Sequence, residues 1–467
     1  MQNTSDTLRT KQFKRMKGNL LLCLIISTLS HFCNAQGQPN ILFISVDDLN
    51  DFPAYANRYE GAITPNLDKL ARQGTVFNKA YCQYAVCGPS RASVMSGVHP
   101  NKLSGSLNDD EVVQKSTRKL GSELMHTWFQ NNGYKTLAVG KILHSHLPDG
   151  TLDDTGGRGL FSSGLGKLKR NWHQNGTMTD WAKGPETDEQ MPDHQAANWA
   201  VDKLKEKHDK PFFLMVGFLR PHNPWYVPEK WWDMYDREKI KLPPYKKDDL
   251  DDIPKLGLKN IKKQMPRTEW AIETDQWRNI VHSYLASITF VDHQIGKVIQ
   301  ALEESQYSDN TIIVLWSDHG YQMGEKNTFQ KASLWERSTH VPLIFAGNGV
   351  PKGKSSDRVV SLLDIYPTLV EMSGLPENSK NEGRSLVPLI KEPSKIWPYP
   401  SVTGYGEDSY AVQNERYHYI QYADGSEELY DHKNDPNEWT NLAGKLNLTE
   451  IKADLAKHII EVKSKDN

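Results

Sequence analysis

Charged and histidine side chains follow four apolar segments of strand length, each at the carboxyl end of its segment. The segments and the residues after them are 40–46 with Asp47 and Asp48, 135–140 with Lys141 and His144, 211–218 with Arg220 and His222, and 311–317 with Asp318 and His319. Helical patterns lie between them, which indicates a mostly parallel α/β sheet flanked by helices. Parallel strands end at one edge of the sheet, where ligands bind in such folds. The sequence therefore predicts one composite site built from four distant segments.

A fifth apolar segment and two clear helical patterns complete the prediction for the large sheet. The segment 341–347 is the fifth predicted strand. One helix is predicted over 64–74, with Thr64 as N-cap and Pro65 at the first position, where proline is favoured. A second, long helix is predicted over 280–305, where apolar residues recur at helical spacing.

The first 35 residues predict an export signal. Basic residues (Lys11, Lys14, Arg15 and Lys17) precede an apolar run at 20–29, and small residues end at Ala35, after which cleavage is expected. We therefore expect an exported protein, either periplasmic or secreted. The apolar run of about 10 residues is too short to cross a membrane, and no stable span is expected elsewhere. Acylation at Cys33 is the alternative.

The mature chain, roughly 430 residues long, exceeds one ordinary hydrophobic core. We expect a large domain over 36–375 and a smaller one over 376–467, where short runs at 410–425 and 427–436 predict an antiparallel sheet. The stretch at about 235–278, rich in Lys, Asp and Pro, predicts a surface insertion over the site, with solvated charges. A net charge of −2 gives no indication of nucleic-acid binding.

Cysteine is scarce: once the signal is removed, only Cys82 and Cys87 remain. Pro89 predicts that a short helix starts directly after Cys87, and a helix N-terminus favours an anion. Arg91, one turn into this helix, is a planar donor suited to an oxyanion. A tight Cys82–Cys87 disulfide, a buried structural thiol and a thiolate nucleophile are all compatible with these residues.

Three carboxylates at strand ends predict a cation site. Asp47, Asp48 and Asp318 are oxygen ligands suited to a hard divalent cation. Capping of a turn or helix is the alternative for the Asp pair, but Asp318 at a second strand end favours metal binding. Imidazole is a less usual partner for such a cation, so His319 either completes the ligand shell or orients a nucleophile.

These motifs resemble the type I sulfatases. Cys87-Gly88-Pro89-Ser90-Arg91, with Gly97 further on, matches the maturation signature of that family. Further matching motifs follow in family order at 39–48, 64–71, 139–144, 317–325 and 428–443, so the resemblance covers nearly the whole mature chain. The iduronate-2-sulfatase-like branch is the most similar, through residues 83–87 and 217–224 and through His319.

The resemblance implies an alkaline-phosphatase-like fold and a sulfuric ester hydrolase. In that family a formylglycine-generating enzyme oxidises the signature cysteine, here Cys87, to formylglycine (3-oxoalanine), whose hydrate is the nucleophile. The resemblance further implies Ca²⁺, with a ligand set of Asp47, Asp48, Asp318, His319 and the modified Cys87.

The resemblance also implies roles for other side chains. The implied catalytic set is Cys87, Arg91, Lys141, His144, His222 and Lys331. The two lysines would bind sulfate oxygens, because charge develops there as the ester breaks. His144 would take a proton from the second hydroxyl, and His222 would either protonate the departing alkoxide or contact the ester oxygen.

The predicted substrate is a sulfated polysaccharide or oligosaccharide, algal (such as ulvan) or glycosaminoglycan-like. Trp225, Trp231 and Trp232 are predicted either to stack on sugar rings or to pack in the core. One alternative function is a phosphate or phosphonate ester hydrolase of the alkaline phosphatase superfamily, which would use a second metal ion. Another is a non-catalytic secreted glycan-binding protein, which would not need a nucleophile.

Overall fold

The computed structural model describes residues 37–159, 169–172 and 177–463. The predicted export signal at 1–35 and the predicted acylation site at Cys33 lie outside these residues. Within the described ranges, no helix combines the length and the apolar character that crossing a membrane requires.

Three sheets contain the strands of the described residues. The strands are β1 (Asn40–Asp47), β2 (Gly74–Tyr81), β3 (Lys135–Gly140), β4 (Asp154–Gly157), β5 (Trp181–Lys183), β6 (Phe212–Pro221), β7 (Trp225–Val227), β8 (Thr311–Ser317), β9 (His340–Val341), β10 (Leu343–Gly347), β11 (Lys354–Ser361), β12 (Ser401–Tyr405), β13 (Ser409–Gln413), β14 (Tyr417–Gln421) and β15 (Glu427–Asp431). The central sheet has nine strands in the order β11-β2-β10-β8-β1-β6-β3-β4, with β9 beside β2. Only β9 and β10 run against their neighbours in it. The mostly parallel sheet is confirmed, and the predicted strand at 341–347 is its antiparallel member.

Strand β1 is central to this sheet and buries both of its faces. It pairs in parallel with β6 and β8, so that Ile44 lies opposite Val216 on one side and Leu315 on the other. Ile41 and Phe43 contribute to one hydrophobic core, and Leu42 and Ile44 to another. A strand covered on both faces reads as a continuous apolar run, as β1 does.

Helices cover the two faces of the sheet. They are α1 (Pro65–Gln73), α2 (Cys87–Ser96), α3 (Asp110–Lys119), α4 (Met125–Asn131), α5 (Pro192–Lys205), α6 (Glu229–Trp232), α7 (Lys255–Asn260), α8 (Thr268–Glu273), α9 (Trp277–Glu303), α10 (Glu336–Thr339), α11 (Ile365–Met372), α12 (Val387–Lys391) and α13 (Thr449–Lys463). Both predicted helices, now α1 and α9, are present. Thr64 precedes α1 without capping it. Asp292 of α9 instead accepts the amide of Leu67 at 2.7 Å, and so satisfies a donor at the start of α1.

The strands β12 to β15 form the antiparallel sheet predicted after residue 375, each pairing with the next. One face packs against α13 through Val412, Tyr419 and Leu455. The other face, which includes Ile420, packs against Trp335. The sheet is therefore buried on both sides. The domain limits at 375 and 376 stay a prediction.

The segment 235–278 is partly buried rather than a solvated insertion. Ile253 and Ile261 pack in the same cluster as Trp335. Asp249 is 5% exposed, and its carboxylate lies 2.8 Å from the Nζ of Lys326, which is also buried. The prediction of solvated charges is wrong for Asp249, because local composition does not reveal a partner elsewhere in the chain.

Asp249→Ala is expected to lower the free energy of unfolding by about 3 kcal/mol, because it leaves the buried Lys326 ammonium without its carboxylate. Denaturant unfolding followed by tryptophan fluorescence measures this. Asp248→Ala is the matched control, since the Asp248 side chain is 66% exposed and a change within about 0.5 kcal/mol is expected. Equally small effects at both positions would mean that the ion pair contributes nothing.

Candidate active site

The four ionisable clusters come together at one edge of the sheet, because β8, β1, β6 and β3 are consecutive neighbours. Asp47 ends β1, and Asp48 follows with a left-handed backbone (φ 63°). The Asp48 amide donates to Oδ1 of Asp318 beyond β8, at 3.1 Å. All three carboxylates are inaccessible to solvent. All three lie at or directly after the ends of β1 and β8, and none of them caps a helix.

Cys87 is the first residue of α2, so the helix begins one residue earlier than predicted. Its Sγ lies 2.9 Å from Nζ of Lys331 and 3.3 Å from Nε2 of His319. Cys82 and Cys87 are both buried free thiols, so the disulfide alternative is wrong. The Cys82 thiol instead approaches the carbonyl of Ser338. Cys87 is thus the thiol that faces the ionisable cluster.

Arg91 is buried completely and binds protein acceptors. Its Nε is 2.8 Å from Oδ2 of Asp318, and its Nη1 donates to the Ser45 hydroxyl at 3.2 Å and to the Ile142 carbonyl at 3.1 Å. The guanidinium therefore fixes the Asp318 carboxylate and ties β1 to the turn after β3. Its Nη2 lies 3.6 Å from Oδ1 of Asp47 and donates no hydrogen bond to the described residues, so the predicted role of Arg91 toward an oxyanion stays a prediction.

Two lysines pair with the β1 carboxylates. Lys141 Nζ is 2.7 Å from Oδ2 of Asp47, and Lys331 Nζ is 2.6 Å from Oδ1 of Asp48. Lys141 reaches this position because β3 and β6 approach closely: a Cβ on Gly217 would lie 2.0 Å from the Lys141 carbonyl oxygen. Glycine at that point is a packing requirement.

Three histidines surround the same cluster. His319 places Nε2 3.2 Å from Oδ1 of Asp48, while its Nδ1 lies 2.9 Å from the Gly320 carbonyl. His222 places Nε2 3.8 Å from Oδ2 of Asp48, with Nδ1 against the Asn223 carbonyl at 2.6 Å. Burial and, to a smaller extent, the positive charge of Lys141 lower the pKa of His144 to about 4. All three predicted histidines thus lie in one site.

Burial and the neighbouring charges shift the pKa values of the acidic groups in opposite directions. Burial alone would raise the pKa of Asp47, but the neighbouring cations, led by Lys141, hold it well below its usual value. Burial raises the pKa of Asp48. Burial and Asp47 oppose ionisation of Cys87, yet Lys141 and Lys331 lower its pKa to about 7. Clusters of perturbed acids of this kind are typical of catalytic sites.

The pKa values of two of the histidines also shift in opposite directions. Burial lowers the pKa of His222 to about 4, so this ring is neutral near pH 7. Burial opposes the charge on His319, but Asp318 raises its pKa to about 9. His319 therefore carries a proton that a metal ion would displace, because metal ligands must be deprotonated.

The residues present fit a hard divalent cation. Two oxygens, Oδ1 of Asp47 and Oδ2 of Asp48, are buried and accept no hydrogen bond within the described part of the chain. Ligand atoms of Asp47, Cys87, Asp318 and His319 lie within 4.8 Å of one another. Buried carboxylate oxygens without donors are costly unless a cation compensates them, and oxygen ligands suit Ca²⁺.

Sequence reasoning missed two cations close to the site. Arg158 follows β4, and Asp47 and Cys87 are among the charges that act on it. The Lys262 amide donates to the Gln330 side chain at 2.9 Å, which brings its segment beside Lys331. Arg158 obeys the strand-end rule, but its strand reads Asp-Thr-Gly-Gly, which carries no apolar signal. No pattern in the sequence indicated that Lys262 lies near the site.

The three tryptophans beyond His222 belong to the core. Trp225 is inaccessible, and Trp231 and Trp232 are each 8% exposed. The sugar-stacking alternative is therefore wrong for these three residues.

Comparison with known proteins decides the family. The family model named Sulfatase matches residues 39–375. The chain belongs to the sulfatase family. A second model, N-sulphoglucosamine sulphohydrolase, C-terminal, matches residues 324–465 of this sulfatase. The predicted enzyme class, sulfuric ester hydrolase, is confirmed.

Relatives of this sulfatase match it over most of their length. It is 45% identical over 421 residues to a protein named Sulfatase from Formosa agariphila, a match that covers 87% of this chain and 83% of the relative. It is 27% identical over 462 residues to Iduronate 2-sulfatase of Homo sapiens, covering 86% and 82%. The predicted branch thus has a named relative, alongside choline-sulfatase and arylsulfatase relatives at similar identity.

Solved structures confirm the alkaline-phosphatase-like fold. A 2-O GAG sulfatase matches with a TM-score of 0.71 at 24% identity, covering 91% of this chain and 93% of that one. A phosphonate monoester hydrolase of Agrobacterium radiobacter matches with a TM-score of 0.74 at 21% identity, covering 91% and 95%. Both likenesses concern the fold alone.

Proposed function

We propose that this sulfatase hydrolyses sulfate esters of a sulfated carbohydrate, using the residue formed from Cys87 as nucleophile. One observation carries the proposal: the Cys87 Sγ lies at the N-terminus of α2, within 3.9 Å of side-chain atoms of Asp48, His319 and Lys331. A nucleophile placed among cations and next to a cation site suits attack on an anionic ester.

The proposed active form contains two groups beyond the polypeptide's own side chains. When present, formylglycine made from Cys87 would supply, as its hydrate, a nucleophilic hydroxyl, and Ca²⁺ would offset negative charge on the sulfate. Asp47, Asp48, Asp318, His319 and the modified Cys87 are the proposed ligands. The two buried carboxylate oxygens without donors support this assignment.

Lys141 and Lys331 are proposed to hold sulfate oxygens. Their side chains are 1% and 18% exposed, and charges act more strongly where water is excluded. Arg91 is proposed as a positioning residue that fixes Asp318, since its guanidinium binds protein acceptors.

The two remaining histidines are proposed to move protons. Its low pKa keeps His144 neutral near pH 7. His144 can therefore accept the proton of the second hydroxyl of the formylglycine hydrate when sulfate is expelled. His222 is proposed to protonate the departing sugar oxygen. A bound sulfate ester puts negative charge beside its ring, and nearby negative charge raises the pKa of an imidazole.

The carbohydrate class is proposed from relatives and structural neighbours. One neighbour was solved with its substrate D-glucosamine-2-N,6-O-disulfate, another is a 2-O GAG sulfatase, and a relative is Iduronate 2-sulfatase. We propose a glycosaminoglycan-like or algal substrate such as ulvan.

We also propose that residues 1–35 export the protein to the periplasm or the medium, and that 36–375 and 376–467 are its two domains.

Peptide mass spectrometry of the protein from a host that matures sulfatases tests the nucleophile directly. Formylglycine makes the Cys87 peptide lighter, because one oxygen replaces the sulfur and two hydrogens. An unmodified thiol in every molecule of an active preparation would refute the assignment, whereas two zinc ions at the strand-end site would favour the phosphate or phosphonate ester alternative.

His222→Gln is expected to lower kcat by about 10²-fold or more on a sugar sulfate, and far less on an aryl sulfate. A sugar alkoxide needs a proton to leave, whereas a nitrophenolate does not. The measurement is the ratio of the two rates in the variant and the parent.

His282→Gln is the matched control for this comparison. His282 is buried in α9 and contacts the Trp232 carbonyl at 2.9 Å, away from the site. Its variant should keep the parental ratio. If His222→Gln slowed both substrates equally, His222 would be a substrate contact rather than an acid.

A further inference from the structure

A second cluster of metal-ligating side chains lies between α10 and the C-terminal sheet. It consists of Glu336 in α10, His418 in β14, and His432 and Glu438 after β15. One ligand atom from each residue lies within 4.8 Å of those of the other three. We call these four residues the His/Glu cluster. None of them belongs to the site described above.

Glu438 joins the members of the cluster. Its Oε1 contacts both Nδ1 of His418 and Nε2 of His432, the latter at 2.9 Å. Its Oε2 accepts the backbone amide of Glu336 at 3.0 Å. Both imidazole nitrogens therefore point at one carboxylate, one from β14 and one from the residue that follows β15.

Glu336 supplies an independent observation that points to a cation at this cluster. It is 4% exposed. Its Oε1 accepts from Arg58 and from Tyr81, each at 3.2 Å. Its Oε2 is buried and has no hydrogen-bond partner within the described residues. A buried carboxylate oxygen without a donor or cation is costly.

We propose that the His/Glu cluster is a second metal site, and that it binds a borderline divalent cation of the Zn²⁺ type. Two imidazole nitrogens with two carboxylate oxygens match the ligands that zinc takes in tetrahedral sites. Ca²⁺ fits poorly, since it prefers oxygen ligands throughout. Four protein ligands leave no open position, so the site is structural rather than catalytic.

Such an ion would fasten the C-terminal sheet to the loop that carries Lys331. Glu336 follows Lys331 by five positions, and the Glu438 carbonyl accepts from Lys326. A cleft of about 630 Å³, lined by Arg58, Tyr81, Glu336 and His432, gives a cation access from solvent. The inference does not depend on the proposed reaction.

Metal uptake by the full-length protein tests the proposal. The protein is stripped with a chelator, supplied with Zn²⁺ alone, passed through a desalting column and analysed for retained zinc. His432→Gln should retain one equivalent fewer than the parent, and zinc should raise Tm in the parent by several degrees more than in the variant. Asp318→Asn should keep this equivalent. His458→Gln, at a partly exposed histidine of α13 (side chain 30% exposed) outside the cluster, is the matched control and should behave as the parent.

Two results would overturn the proposal: no zinc retained by the parent, or equal retention in the parent and His432→Gln. The cluster would then be held by His–Glu hydrogen bonds alone. If His432→Gln failed to fold, Co²⁺ added to the stripped parent decides the question. A four-coordinate nitrogen and oxygen site gives intense visible bands, and their absence would count against the metal.

Discussion

Cys87→Ala is expected to abolish sulfate-ester hydrolysis, lowering kcat/KM by about 10⁴-fold or more, while the protein still folds. Loss of a nucleophile removes the whole covalent route at once. The side chain is small, and its replacement removes one buried sulfur and leaves the sheet contacts in place, so a cost to stability of about 1 kcal/mol is expected. Sulfate release from a sugar sulfate, with Tm as a check on folding, measures both effects.

Cys82→Ala is the matched control, because it removes the other buried thiol, five residues away and turned toward Ser338. It should retain nearly all activity. Turnover by Cys87→Ala at the parental rate would eliminate the proposed mechanism. Equal losses in the two variants would point to a packing defect instead.

Removal of divalent cations is expected to abolish activity and to lower Tm, and added Ca²⁺ should restore both. Asp47, Asp48 and Asp318 are brought together at strand ends without solvent to screen them. A cation present at 100 times its Kd stabilises the folded protein by about 2.7 kcal/mol. Differential scanning fluorimetry with and without Ca²⁺, together with turnover, gives the measurement.

Asp318→Asn separates this site from weaker ones, because it removes a full charge at the centre of the cluster. Its Tm and its activity should no longer respond to Ca²⁺. Asp357→Asn, at an exposed position in β11, is the matched control and should respond as the parent does. An unchanged Ca²⁺ response in Asp318→Asn would place the cation elsewhere.

The sheet and the arrangement of its edge could be predicted because both depend on local pattern. Continuous apolar runs such as 40–46 mark strands buried on both faces, and parallel order places their ends together. This reasoning brought Asp47, Lys141, His222 and Asp318 to one edge, where the structure also has them. The helix after Cys87 followed in the same way from Pro89.

What could not be predicted depends on partners that are distant in sequence. Arg158 follows a strand of glycines and polar residues, so no apolar run marked this strand in the sequence and its end could not be recognised. The Asp249–Lys326 pair joins a charged loop to a buried lysine, and the composition of the loop is that of a solvated surface. Arg91 carries a donor group suited to an oxyanion, but its use for holding Asp318 is decided by packing.

The burial of Cys87 has a consequence for how an active molecule is made. The residue is 3% exposed, and nearly every residue of α2 around it is buried as well. A modifying enzyme needs access to the Cys87 side chain, which its burial in the folded protein prevents. The proposed oxidation must therefore precede folding. In a chain that folds first, Cys87 becomes accessible again only when the protein unfolds, and the half-life for unfolding of stable domains extends to days. The specific activity of a preparation thus reports the order of two events in the cell that made it.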